Sequence, residues 1–404
     1  MKWTANAKNW WMLWRRDSHR MQRCRSCLRF AGGWSEGTPR NTSNEYILST
    51  MTRIRKDKSG IRAVDFFCGG GGMSLGMSKA GVKVLAGIDV DPACQDTYNA
   101  NNKNSRFLLQ DIGQYRPEAL AQDIGITSNE DDLLFIGCSP CQYWSLLKSD
   151  KTKSRKTAFL LEHFQNFVEF FRPGYVVIEN VPGILKKQES PLRSFRKALE
   201  NWGYRIAEDV VNACDYGVPQ NRKRFVLIAS RVGEARIPKG KSQHKIVADI
   251  LGPQNGFPTL KAGEADSQIS WHICANLSVQ NLSRLSHTPK DGGTRKSWKN
   301  YRNLQLDAYK GRDQQFSDVY GRMFWNKPSP TITTRFISIS NGRFAHPDEN
   351  RGISIREGAC LQSFPKSFKI KANGLQQAAR LIGNAVPPKL AEAIGKEIIS
   401  EGEN

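Results

Sequence analysis

The 404-residue chain predicts an α/β fold built on a mostly parallel sheet, joined to a smaller irregular domain. Two observations carry this. From Ile61 to about Ala229, short apolar runs suited to buried strands are interleaved with amphipathic stretches of helical period, as βαβ units require. Between Arg231 and Pro330 that rhythm stops, and Gly, Pro, Ser and Asn break the chain every few residues.

Taken in order, residues 1 to about 55 hold Trp3, Trp10, Trp11, Trp14 and Trp34 among many arginines, without sustained helix or strand period. They are read as a leader without a fold of its own, and Met51, just before the first convincing strand, is the expected natural start. The main domain opens with a strand at Ala63–Phe67, a helix from about Ser74 and a strand at Val82–Ile88. Strand Leu133–Ile136, helix Ala158–Phe171, strand Tyr175–Ile178 and strand Phe225–Ala229 follow. The expected divisions are 1–55, 56–232, 233–328 and 329–404, with a final helix over about Pro388–Glu401.

The 60 Lys and Arg against 38 Asp and Glu leave a formal charge of +22, which favours a polyanionic partner because neutralised phosphates release their counterions. Nucleic acid leads, although a basic membrane-surface protein would carry the same sign. The region from Arg231 to Pro330 has sixteen basic residues against eight acidic ones, interleaved with Trp271, Trp298, Tyr301, Tyr309 and Tyr320. That is a composition for a nucleic-acid surface and equally for a loop-rich domain with ordinary core aromatics. Nine cysteines, thinly spread and odd in number, make no disulfide framework. With no apolar run of the roughly 18 residues a membrane span needs and no signal-peptide pattern, a reducing, cytoplasmic setting is expected.

Four stretches carry chemistry. Asp65-Phe66-Phe67-Cys68-Gly69-Gly70-Gly71-Gly72-Met73-Ser74 follows a strand and opens a helix, so bare backbone can approach a ligand there. Serine at position 74 weakens a dinucleotide fingerprint, which would place a third glycine there. Asp89 ends the next strand, 20 residues beyond Gly69, where a carboxylate suits the ribose of an adenosine nucleoside. Asp111 starts the following loop, either as an acceptor for an adenine amino group or as a turn residue. Cys138-Ser139-Pro140-Cys141-Gln142 leaves a buried strand at its carboxyl end, where open α/β sheets place their chemistry. Three readings stand: one catalytic thiol beside a bystander, a redox pair, or half a zinc site. Glu179 ends strand Tyr175–Ile178 at the same expected edge, and Gln220, Arg222 and Arg224 are spaced by two, which would aim them alike.

These residues resemble the DNA (cytosine-5)-methyltransferase family. The resemblance runs from about Ile61 to Glu397 through six stretches in family order. They are the Phe67-Cys68-Gly69 loop, Pro140-Cys141-Gln142, Glu179-Asn180-Val181, Gln220-x-Arg222-x-Arg224, Arg356-Glu357 through Leu361-Gln362-Ser363-Phe364-Pro365, and Gly383-Asn384-Ala385-Val386-Pro387. The resemblance implies a Rossmann-like methyltransferase domain, with 56–232 and 329–404 forming its two parts and 233–328 serving as target-recognition domain. It implies S-adenosylmethionine as cofactor and no metal. Catalytic roles fall to Cys141, Glu179, Arg222 and Arg224. Phe67, Gly69, Gly70, Asp89, Val90, Asp111, Ile112, Pro140, Leu160 and Asn384 should line the cofactor site, with the C-terminal helix returning to bring Asn384 there. Gln142, Ser145 and Gln220 should meet nucleic acid.

By the same resemblance, Cys141 would attack C6 of a cytosine flipped out of double-stranded DNA, in a monomer that shares its site with a cognate restriction endonuclease. Asp89 departs from the family's more frequent glutamate, and either carboxylate can hold a ribose. A tRNA cytosine methyltransferase of the same fold is disfavoured because the Cys-Phe-Thr segment of that subgroup is absent. A non-catalytic DNA-binding relative is disfavoured because Cys141, Glu179 and Arg224 are all retained.

Overall fold

The computed structural model of the chain describes residues 60–140, 159–186, 190–309 and 316–402. The leader, Cys141, Gln142 and Ser145 lie outside these residues. Seven strands form one sheet in the order β3-β2-β1-β4-β5-β7-β6, where β1 is Arg62–Phe66, β2 Lys83–Asp89, β3 Arg106–Leu109, β4 Leu133–Gly137, β5 Tyr175–Asn180, β6 Arg205–Asn212 and β7 Lys223–Ser230. The first five are parallel, whereas β7 runs antiparallel to β5, and β6 antiparallel to β7. The expected mostly parallel sheet is therefore present.

Strand alternation sorts side chains onto two faces. On one, Val64, Phe66, Phe135 and Ile178 pack beneath α3 (Pro117–Ile124), α4 (Leu160–Phe171) and α5 (Leu192–Asn201). Helix α4 buries Leu161, Phe164, Phe167, Val168 and Phe171, the spacing of a single apolar stripe. Phe66 centres this face, with its ring 5.2, 5.1 and 5.1 Å from those of Phe135, Phe164 and Phe167. Truncating such a ring typically costs about 3–5 kcal/mol. On the other face, Ala63, Leu134, Ile136, Val177 and Val226 pack against α1 (Gly72–Ala80) and α9 (Pro388–Gly402).

Strands β3 and β6 and helix α2 (Gln95–Asn101) were not anticipated. β3 spans four residues at one edge, and β6, at the other, leaves much of its polar sequence to solvent, so neither presents a long apolar run. Among the described residues of the irregular region the longest helix is α6, Val279–Ser286. A third core joins Val247, Leu251, Phe257 and Met323 to Ile332, Phe336 and the helices α7 (Ile355–Leu361) and α8 (Leu375–Asn384), and thus spans the boundary expected at 328/329. A fourth, smaller core gathers Leu285, Trp298, Leu304 and Tyr320 with Ile339 and Ala345. Among the described residues, no helix is long and apolar enough to cross a membrane.

Candidate active site

The chain leaves β1 through a tight turn in which Phe67 (φ 62°) and Gly69 (φ 51°) both adopt left-handed backbone. For phenylalanine that conformation is strained, and it occurs here at a site expected to bind a ligand. Asp89 at the end of β2 holds the loop, accepting from the Gly69 amide at 2.8 Å through Oδ2 and from the Asp91 amide at 2.9 Å through Oδ1. Burial pushes its carboxyl upward, opposed by those amides. Val90, next along, is exposed. A methyl group on Gly69 would meet nothing within 4 Å, so the loop presents an open face.

Beneath the loop lies Asp65, fully buried. Its Oδ2 accepts from Ser74 Oγ at 2.6 Å and from the Ser74 amide at 3.1 Å. Its Oδ1 is buried and has no hydrogen-bond partner among the described residues. Desolvation pushes this carboxyl up to about 7, against the hydrogen bonds from Ser74. A glycine loop open on one side, a carboxylate at the end of β2 and an unpartnered carboxyl oxygen below them offer polar groups of the kind a nucleoside cofactor needs.

The rest of the expected cofactor wall borders the same sheet edge. Asp111 follows β3, which pairs in register with Asp89. Its Oδ1 accepts from the Gly113 amide at 2.9 Å, so it makes a turn and remains exposed. Ile112 is buried, Pro140 and Leu160 are partly buried, and a methyl group on Gly113 would lie 3.3 Å from His163 of α4. From the far end of the chain, a methyl group on Gly72 would stand 2.4 Å from the Val386 carbonyl oxygen, and one on Gly70 3.8 Å from Leu381. The 381–386 segment thus lies against the glycine loop, and Asn384 is exposed at the end of α8.

The second half of the site depends on the antiparallel pairing of β5 and β7. Because Asn180 pairs with Phe225 and Glu179 with Val226, the start of β7 lies beside the end of β5. Arg224 Nε stands 2.9 Å from Glu179 Oε1, with both side chains close to buried. Asn180 Nδ2 donates to the carbonyl oxygen and Oγ of Ser139 at 3.2 and 3.1 Å, fastening the segment that leads into Cys141. Cys138 is partly buried, and burial together with nearby Glu179 pushes its thiol well up. A thiol held protonated in this way is a poor redox partner, which favours the bystander reading.

Gln220 and Arg222 have different surroundings from Arg224. Gln220 is fully buried, and Arg222 is 3% exposed. Arg222 donates through Nη1 to the Ile332 carbonyl at 2.9 Å and through Nη2 to those of Gly383 and Ala385, both at 3.1 Å. Gln220 bonds Gln362 and the Ile332 amide. Period-two spacing grouped the three, but β7 begins only at Lys223, so residues 220–222 do not follow strand alternation. Asp65, Asn180 and Gln362 lie inside the sequence motifs without a role that the motifs assign. The signal that could have found them is a polar residue expected at a buried position.

Fold and site together define a Rossmann-like methyltransferase with a glycine loop and a carboxylate–guanidinium pair on one sheet edge. The C-5 cytosine-specific DNA methylase family matches residues 61–400, and the chain belongs to that family, whose activity is methylation of cytosine C5 in DNA. It is 34% identical to the Type II methylase M.HgiDII of Herpetosiphon aurantiacus, over 83% of this chain and 94% of that protein. It is 32% identical to the Type II methyltransferase M1.HphI of Haemophilus parahaemolyticus, over 84% and 87%. Its fold resembles that of the Entamoeba histolytica methyltransferase EhMeth, with a TM-score of 0.59, 14% identity and coverage of 85% and 99%. It also resembles a mutant of Spodoptera frugiperda DNMT2, with a TM-score of 0.56, 16% identity and coverage of 84% and 99%. Enzymes of the family use S-adenosylmethionine as methyl donor.

Proposed function

We propose that this protein is the cytosine-methylating half of a Type II restriction-modification system, and that it methylates C5 of a cytosine flipped out of double-stranded DNA through a transient Cys141–C6 adduct. The observation that carries this is the Glu179–Arg224 pair, 2.9 Å apart at the end of β5, beside the segment that Asn180 holds ahead of Cys141. Cytosine C5 is a weak nucleophile. Addition of the Cys141 thiolate to C6 forms a C–S bond and moves electron density onto C5 and N3. The Glu179 carboxyl supplies a proton or strong hydrogen bond at N3, and Arg224 holds O2 while keeping Glu179 in place. S-adenosylmethionine would supply the electrophilic methyl group, which C5 takes as the sulfonium S–C bond breaks to give S-adenosylhomocysteine. Transfer of the C5 proton to water then breaks the C–S bond, returns the electron pair to Cys141 and restores the ring, while the N3 proton goes back to Glu179.

The cofactor would be held by Phe67, Gly69 and Gly70 from the loop, by Asp89 and Val90 at the ribose, and by Asp111, Ile112, Pro140, Leu160 and Asn384 around them. Gln142 and Ser145 would close over the extruded base, and 233–328 would read the target sequence. Arg222 and Gln220 are assigned to the frame rather than to the base or to nucleic acid, because both are buried among protein carbonyls and amides. The two relatives named above are bacterial Type II enzymes, which favours a cytoplasmic protein that shares its recognition site with a separate endonuclease.

The test is transfer of labelled methyl from S-adenosylmethionine to mixed double-stranded DNA, with Cys141→Ser alongside and the modified base mapped. Label at cytosine C5 that vanishes in the variant is the expected result. Transfer to tRNA alone would move the protein to the RNA-modifying branch, and absence of transfer to either would make it a binding-only relative.

A further inference from the structure

The stretch around Gln362 has no part in the chemistry above, yet Gln362 is fully buried and bonded to Gln220 and to the end of α8. Helix α8 ends at Asn384, and the last carbonyls of a helix have no partner within it. Here they are met by two side chains from elsewhere in the chain. Gln362 Nε2 donates to the Ile382 and Ala385 carbonyls at 2.6 and 2.7 Å. Arg222 Nη2 donates to those of Gly383 and Ala385, both at 3.1 Å. The two carbonyls that flank Asn384 are thus held from one side, and a guanidinium at a helix C-terminus also meets the negative end of the helix dipole.

The donors are themselves fixed. Gln362 Oε1 accepts from Gln220 Nε2 at 3.2 Å and from Arg222 Nη1 at 3.4 Å, and Gln220 and Gln362 are fully buried. The Arg222 main chain is locked to β6, accepting from the Ala213 amide at 2.9 Å and donating to Asn212 Oδ1 at 2.9 Å. Gly383 has no room to shift, since a methyl group there would lie 2.4 Å from the backbone of Thr333 and Thr334. Arg224, which pairs with Glu179, follows Arg222 by two residues.

We propose that Arg222 and Gln362 are positioning residues, forming a clamp on the last turn of α8 that sets Asn384, at the cofactor edge, in register with the base-holding Glu179–Arg224 pair. The proposal rests on the reading of Asn384 as part of the cofactor wall. A clamp of this kind acts mainly on cofactor affinity, because Glu179 and Arg224 keep their own contacts when it is released.

The experiment measures S-adenosylhomocysteine affinity of the full chain by calorimetry for Gln362→Met, Arg222→Lys and Asn384→Ala. Methionine keeps the volume of Gln362 and removes its donors, whereas lysine keeps the charge of Arg222 and reaches fewer carbonyls. Each should weaken binding by about tenfold, the loss of one to two buried hydrogen bonds. In Gln362→Met the KM for S-adenosylmethionine should rise by more than kcat falls. Wild-type affinity in both clamp variants, with weakened Asn384→Ala, overturns the clamp. Wild-type affinity in Asn384→Ala overturns the cofactor-edge reading on which it rests. A kcat that falls at unchanged affinity in Gln362→Met also overturns the clamp, and should that variant not fold, Arg222→Lys decides.

Discussion

Asp65→Asn isolates the buried carboxylate under the glycine loop. In the folded chain this carboxyl titrates at about 7, against an ordinary value of 3.8, because burial disfavours its charge more than the Ser74 hydrogen bonds favour it. The fold therefore prefers the protonated form. Stability from this preference is fully present below pH 3.8 and is lost as pH rises through about 7. A difference of roughly three pH units at about 1.4 kcal/mol each comes to about 4 kcal/mol. Asparagine cannot titrate, and its carbonyl oxygen can still accept from Ser74. Urea unfolding of the cofactor-free chain between pH 5 and 8 should show the wild type losing about 2–4 kcal/mol relative to the variant across that range. Parallel stability curves for the two proteins would refute the assignment of a neutral, desolvated acid at this position.

Glu357 gives the opposite sign. It is fully buried, receives Arg351 Nη1 and Nη2 at 2.7 and 2.9 Å and the Ser354 amide at 2.7 Å, and is held down to about 2. Its stability is present above pH 4.5 and lost as pH falls through about 2. Glu357→Gln should therefore cost about 3 kcal/mol at pH 7 in urea unfolding, with the gap closing as the pH is lowered. Gly76→Ala would place a methyl group 2.3 Å from the Pro388 carbonyl oxygen and 2.4 Å from Ala391 Cβ, and should cost about 1–3 kcal/mol by the same assay. Glu179→Gln should lower kcat by about 10²–10⁴-fold, with S-adenosylhomocysteine affinity by calorimetry close to that of the wild type.

Most of the sheet was legible because its central strands are buried on both faces and read as unbroken apolar runs. β4 (Leu133–Gly137) and β5 (Tyr175–Asn180) differ from expectation by one or two residues at an end. β6 was not, since an edge strand that leaves Glu208 and Asp209 outside the core has no apolar period to detect. The site divides in the same way. Glu179 could be placed from its position after a buried strand, but its contact with Arg224 depends on β7 running antiparallel to β5, which strand patterns do not specify. Arg222 was grouped with Arg224 because spacing by two presumes a strand, and the chain is not yet one at that point. Buried polar hubs such as Gln362 escape sequence reading for a related reason, as the carbonyls that satisfy them come from residues 20 and 23 positions away.

How the last sixth of the chain reaches the glycine loop follows from where residues without side chains stand. Helix α9 lies along α1, and at Gly72 and Gly76 the α1 backbone comes so close to Val386, Pro388 and Ala391 that a methyl group at either would overlap them. Gly395, two turns further along α9, lies in the same way against Met77 and Ala80. Ascending numbers meet ascending numbers, so the two helices run in the same direction, and the segment just before α9 is delivered to the N-terminal end of α1. That end is where the glycine loop opens. The glycines of the loop and of α1 therefore have two separable duties: Gly69 presents an open backbone face, whereas Gly72 and Gly76 hold the returning helix. A methyl group at Gly69 should act on cofactor affinity more than on stability, although its left-handed backbone adds strain. One at Gly76 should act on stability first, and on affinity only through displacement of the 383–387 segment.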